Sequence, residues 1–211
     1  KKEQIALKII KNFRENRKPR ILYDISQLIT VDFITGIQRV TNEIYNSLIE
    51  SYSDQFEIIP IKISHHSDIL EAIDNPPKTI KINKKYSSID INDIRIGDIF
   101  ISIDLDHNAH TKEGAYEKLR SQGCKTVFVI HDLLPFDFGD SFFSPNSAVV
   151  HFGWFKAIAK ADHLVCVSQS VMEHSKYYLN AVENINTNLK IGWFHLGGNF
   201  KNEKHINLDK N

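Results

Sequence analysis

The sequence predicts an α/β fold: a Rossmann-like parallel sheet with helices on both faces. Two observations carry this. Short apolar runs alternate with longer stretches of helical periodicity from Arg20 onward. Most of those runs are continuously apolar rather than alternating, as strands covered on both faces should be. Strand-helix alternation of this kind means a doubly wound parallel sheet.

Strands are expected at residues 21–24, 56–63, 99–103, 126–130, 163–167 and 190–195. Between them lie the helices. Ile37, Val40, Ile44 and Leu48 repeat at helical spacing after the first strand. Residues 111–122 follow the third strand and stop at Gly123. Ala148, Phe152, Phe155 and Ala159 make one face after the fourth. Ser170 and Glu173 have capping-box spacing and open a helix toward Leu179 after the fifth. Residues 64–98 resist assignment; they hold Asn75-Pro76-Pro77, a short apolar stretch at 79–82 and polar linker.

Three segments follow. Residues 1–19 read as a basic amphipathic helix or linker, with Ile5, Ile9 and Phe13 on one face and Pro19 ending it. Such a helix suits an anionic membrane surface, but packing on its own domain is the preferred reading. Residues 20–199 form the Rossmann-like domain. Residues 200–211 are nearly devoid of apolar side chains and read as a linker.

Bulk composition narrows the function. The 211 residues suffice for one sizeable α/β domain. Lys+Arg and Asp+Glu balance at 26 each, which argues against nucleic-acid binding through a basic excess. No apolar run is long enough to span a bilayer, and the polar, basic start carries no secretory signal. A cytoplasmic protein is expected, with peripheral contact at the cytoplasmic membrane face as an option. Cys124 and Cys166 lie in or beside apolar runs and read as buried free thiols.

Ligands of open parallel sheets bind beyond the carboxyl ends of the strands. The residues expected there are Asp24, Ser26 and Gln27, then Asp104, Asp106, His107 and Asn108, then His131-Asp132, Ser168-Gln169 and His195. Titratable groups thus gather at one sheet edge. In Thr35-Gly36-Ile37-Gln38-Arg39, Thr35 and Gln38 have capping-box spacing, so Gly36 sits at a helix mouth where amides favour a phosphate. An ordinary cap with a turn glycine explains the same segment. His131, at the end of an apolar strand, can hydrogen-bond a ligand or move a proton near neutral pH. Asp104 and Asp106, with His107, His110, His131 and Asp132, offer a set for a divalent cation, though polar residues flanking a strand end are the preferred reading. The aromatic stretch from Phe136 to Phe155 reads chiefly as helix core, with an apolar lip for a lipid-linked acceptor as the alternative.

Taken in order, 21–27, 35–40, 97–100, 129–135, 161–168 and 192–197 resemble stretches of retaining glycosyltransferases of the GT-B fold, of the large family 4 type found in bacterial polysaccharide and O-antigen synthesis. The resemblance implies two Rossmann-like domains facing a cleft, with this chain as the acceptor-side, N-terminal one. It implies that Thr35, Gly36 and Ile37 approach the donor phosphates. His131 would contact the transferred sugar, with Asp132 orienting it. Gln38, Arg39, Asp104, Asp106, His107 and Ser168 would line the acceptor side. The implied co-substrate is a nucleotide-diphosphate sugar, the acceptor a glycan or lipid-linked glycan, and no metal or other cofactor is expected. The family's C-terminal glutamate pair, spaced i and i+8, has no counterpart here, so the chain alone is expected to be inactive and to need a C-terminal domain of the same enzyme. Two rival readings stand beside this one: a metal-dependent hydrolase or phosphoesterase using Asp104, Asp106, His107 and His131, and a non-catalytic module that binds a glycan or partner.

Overall fold

The computed structural model describes residues 3–5, 17–30, 35–64, 69–73, 80, 86–139 and 145–197. Every expected strand is present: β1 (Arg20–Asp24), β2 (Glu57–Ile63), β5 (Ile99–Ser102), β6 (Lys125–Ile130), β7 (His163–Cys166) and β8 (Lys190–Trp193). Two more come from the stretch that resisted assignment, β3 (Ile69–Ala72) and β4 (Ile89–Asp90). The sheet order is β4-β3-β2-β1-β5-β6-β7-β8. All pairs from β2 across to β8 are parallel; β2–β3 and β3–β4 are antiparallel. The sheet is therefore mixed, with an antiparallel margin. These margin strands are too short to leave a periodic signal, being four and two residues long.

Pro60 sits inside β2 without breaking it. Its carbonyl accepts from Ile73 N, so its missing N–H faces β3, whose ladder begins only at Ile61. Proline cannot make the reciprocal bond to Ile73 O, and the pairing with β3 starts at the next residue.

Helices cover both faces. On one side α1 (Gly36–Tyr52) packs on Ile21, Tyr23, Ile58, Ile103 and Val129. On the other, α2 (Glu113–Ser121), α4 (Ser147–Ile158) and α5 (Gln169–Leu179) cover Leu22, Phe100, Phe128, Ile130 and Leu164. A single turn, α3 (Leu134–Phe138), follows β6. A 3-10 turn, Ala109–Lys112, leads into α2. Gly123 ends α2 with φ at +92°, and a Cβ there would lie 2.6 Å from Ile96 Cγ1, so only glycine fits.

The inner face of α1 departs from expectation. Its fully buried row is Gln38, Thr41, Asn42, Tyr45 and Ile49, while Val40, Ile44 and Leu48 pack along its flank. Part of the polar row is bonded locally, while Asn42 Oδ1 and Tyr45 OH are buried without a hydrogen-bond partner. Thr41 Oγ1 donates to Ile37 O, and Tyr23 OH donates to Thr41 O at 2.6 Å. In α4 the buried row includes His151, Trp154 and Ile158 beside the expected Phe155; Phe152 is half-buried.

Both cysteines are buried and free. Among the described residues no helix is long and apolar enough to cross a membrane. In the 1–19 segment, residues 3–5 are helical and Ile5 is exposed. Ile9, Phe13, Asn75-Pro76-Pro77, most of 79–82, Phe142, Phe143 and the 200–211 segment lie outside the described residues.

Candidate functional site

The chain leaves β1 for β2 on one side, and β5 takes the place on its other side. That reversal is a topological switch point, where open α/β sheets bind ligands beyond the strand ends. Asp24 closes β1 there. It is 3% exposed, and its carboxylate accepts from Ser26 N at 3.0 Å, Ser26 Oγ at 2.5 Å and Ser102 Oγ at 3.3 Å. Ser26 Oγ in turn accepts from Ile63 N. Asp24 is thus a bracket joining the ends of β1, β2 and β5. Burial raises its pKa, against the pull of Lys112 and Ser26.

Asp106 is also turned inward. Its oxygens accept from Lys112 Nζ at 2.6 Å, Gln27 Nε2 at 2.7 Å and Asn108 N at 2.9 Å. Both members of the Lys112–Asp106 pair are about 5% exposed or less. Asp106 therefore braces the loop after β5 instead of offering oxygens to a ligand. Asp104 differs. β5 ends at Ser102, so Asp104 lies in the loop and does not share a strand face with Asp106. Its Oδ1 accepts from Leu105 N, while Oδ2 is sealed without a partner. Burial, then the charges of Asp24 and Asp106, raise its pKa to about 6 against the Leu105 amide. A carboxyl in that state exchanges between hydrogen-bond donor and acceptor near neutral pH.

His131 follows β6 and is half-buried. Its Nε2 donates to Ile103 O at 2.8 Å, because a carbonyl can only accept. The bond pins the end of β6 to the end of β5. Burial lowers its pKa, opposed by the Ile103 carbonyl and Asp132. The neutral ring then carries its proton on Nε2 and a lone pair on Nδ1. Asp132 does not hold this ring by a hydrogen bond; its Oδ1 accepts from Leu134 N, the first residue of α3, at 3.2 Å. The group that orients His131 is the Ile103 carbonyl.

At α1 the capping box is present in full. Gln38 N donates to Thr35 Oγ1 and Thr35 N donates to Gln38 Oε1. Gln38, expected on the acceptor side, is buried and spent on this cap. Thr35, Gly36 and Arg39 are exposed and Ile37 is half-buried. A Cβ at Gly36 would meet nothing within 4 Å, so no protein atom demands glycine. Ser168 caps α5, its Oγ accepting from Val171 N. The expected Ser170–Glu173 cap is displaced by two residues, because β7 ends at Cys166 and the chain turns at Ser168; Glu173 pairs with Gln169 instead. Parallel return connections put the N-termini of α1 and α5 at the same sheet edge as Asp104, His107 and His131. Each terminus favours a nearby anion by about 0.3–1 kcal/mol.

His151 is the residue that sequence reading missed. It stands on α4, 1% exposed, with ring contacts to Phe136 at 4.9 Å and Trp154 at 4.8 Å. Its Nδ1 lies 3.3 Å from His107 Nε2. The available signal was one histidine inside an aromatic helical stretch, which core packing hid. Burial lowers the His107 pKa, against Asp106 and Asp132, and lowers that of His151 to about 4.

Among the described residues, no group of three or more His, Cys, Asp or Glu is arranged as a metal site. Of the residues offered for a cation, Asp106 is committed to Lys112 and Gln27, and Asp132 bonds the first amide of α3. Concave volume lies elsewhere. A cavity of about 370 Å³ sits at the start of β1 and β2, lined by residues that include Arg17, Ser53, Glu57 and Tyr86.

No family model matches the chain, and no solved structure matches it. Curated relatives do. The chain is 29% identical over 203 residues to a serotype-specific mannosyltransferase WbdA of Escherichia coli, covering 92% of this chain and 24% of that protein. Two further WbdA proteins of the same species are 27% identical over 178 residues, covering 83% of this chain and 21% of theirs. The chain spans about a quarter of the length of the curated relatives it matches.

Proposed function

We propose that this chain is the acceptor-side lobe of a glycosyltransferase acting in bacterial surface polysaccharide synthesis. It would move a hexose, mannose by the similarity to the WbdA proteins, from a nucleotide-diphosphate sugar to a glycan or lipid-linked acceptor. The observation that carries the reading is the shared sheet edge. Neutral His131, the loop from Asp104 to His107 and the exposed amides opening α1 all lie beyond the ends of the parallel strands. Similarity to mannosyltransferases over most of the chain supports it.

In this reading the transfer retains anomeric configuration. The acceptor oxygen bonds to the anomeric carbon on the face from which the diphosphate departs with the bonding electron pair. Amides at Gly36 and Ile37 stabilise charge gathering on the departing phosphate, the Thr35 amide being taken by Gln38 Oε1. His131, held by Ile103, presents Nδ1 to the transferred sugar. A second domain supplies most of the nucleotide contacts. The same chemistry requires no metal, and the lobe works at the cytoplasmic face of the membrane.

The test uses the full-length protein with a panel of nucleoside-diphosphate hexoses. His131→Ala should lower kcat on the order of a hundredfold while weakening donor binding far less. Undiminished turnover in that variant would remove His131 from the site. No hexose transfer by the unaltered protein would leave the reading of a non-catalytic glycan-binding lobe.

A further inference from the structure

Two histidines from distant parts of the chain meet beside the candidate site. His107 stands in the loop after β5 and His151 on α4, 44 residues later. The loop is hydrogen-bonded on both sides of His107. Asp106 is locked by Lys112 and Gln27, and His110 Nδ1 donates to the His107 carbonyl at 3.1 Å. The His107 ring itself is held by His151.

His151 has little freedom. Phe136 and Trp154 flank its ring, and its Nε2 is sealed from solvent. That Nε2 has no hydrogen bond of full geometry, and the Asp132 backbone beside the ring favours its protonated form. A proton on Nε2 leaves Nδ1 as a lone pair. His107 Nε2 must then be the donor across the 3.3 Å contact, and His107 Nδ1 is left as an acceptor. A buried ring that meets a half-buried neighbour through Nδ1 can set that neighbour's tautomer.

We propose that His151 is a positioning residue: through His107 it presents a fixed ring nitrogen, Nδ1, as hydrogen-bond acceptor for a hydroxyl of the sugar that receives the transferred hexose. This rests on the glycosyltransferase reading above. It also gives α4 a part in acceptor recognition. The groups facing His107 are Asp106 and His110 from its own loop, Asp132 from the loop after β6, and His151 from α4. Burial keeps His107 neutral at neutral pH against the pull of both carboxylates.

The experiment takes the full-length protein, a nucleoside-diphosphate mannose as donor and octyl α-mannoside as the acceptor probe. His151→Phe keeps the apolar packing and removes the acceptor nitrogen. His151→Asn places an amide oxygen near the Nδ1 position. With His151→Phe, the acceptor KM should rise about tenfold, the worth of one well-placed hydrogen bond, with donor KM and kcat changed less than about twofold. His151→Asn should stay within about threefold of the unaltered protein. The acceptor KM of the unaltered protein should rise as pH falls through the His107 titration, and that dependence should vanish in His107→Gln. An unchanged acceptor KM in a folded His151→Phe protein would overturn the proposal. So would equal loss in the Phe and Asn variants. If the unaltered protein transfers no sugar, the glycosyltransferase reading fails separately. Nitrogen-15 spectra of histidine-labelled full-length protein then decide the relay: protons on Nε2 of both rings support it, and a proton on His107 Nδ1 refutes it.

Discussion

Lys112→Met tests whether the loop carrying Asp104 and His107 is built as described. Lys112 and Asp106 form a pair at 2.6 Å with both side chains almost fully buried. Removing one member of a buried pair strands the other and costs about 3–5 kcal/mol. Here Gln27 Nε2 and Asn108 N still bond the Asp106 carboxylate. The expected loss is therefore lower, about 2–3 kcal/mol. In an α/β domain of this size that corresponds to a Tm lower by about 4–12 °C. Differential scanning calorimetry reads it directly. The double variant Asp106→Asn/Lys112→Met should recover part of the loss, because no charge is left unpaired. The same single variant should raise the acceptor KM, since the loop loses its anchor. A Lys112→Met protein melting within about 2 °C of the unaltered one would refute the brace.

Gly36→Ala should leave Tm unchanged or slightly raised, because open space surrounds the new methyl and alanine favours a helix; weakened donor binding by calorimetry, with Tm intact, would mark Gly36 as the point of ligand approach. Gly123→Ala should destabilise by about 1–3 kcal/mol in thermal melts, from the positive φ and the Ile96 clash together, whereas an unchanged Tm would contradict the turn. Asp104→Asn should raise Tm more at pH 8 than at pH 4. The folded Asp104 keeps its proton up to about pH 6, while the unfolded chain releases it near pH 4. Between those values the folded state binds more protons, so the native carboxylate costs stability as pH rises through the window. A pH-independent gain would contradict a buried, unpartnered Oδ2.

The sequence by itself determined the parallel core and the edge that matters. Continuous apolar runs such as Val127 to Ile130 can only be strands covered twice, and their carboxyl ends name the candidate site without coordinates. The Thr35–Gln38 cap was equally legible, because its chemistry spans three residues. Tertiary structure decided everything that depends on which distant groups meet. Asp104 and Asp106 look alike in sequence, yet Lys112 and Gln27 occupy one and burial leaves Oδ2 of the other unpaired. His131-Asp132 read as a pair, but the ring bonds the Ile103 carbonyl and the carboxylate bonds α3. His151 showed nothing of its contact with His107, because periodicity reports which face of a helix is buried and not what waits on the other side. Local patterns encode burial and capping within a few residues. Hydrogen-bond partners and tautomers are set by packing across the sheet, and only the folded chain brings those atoms within 3 Å or so of one another.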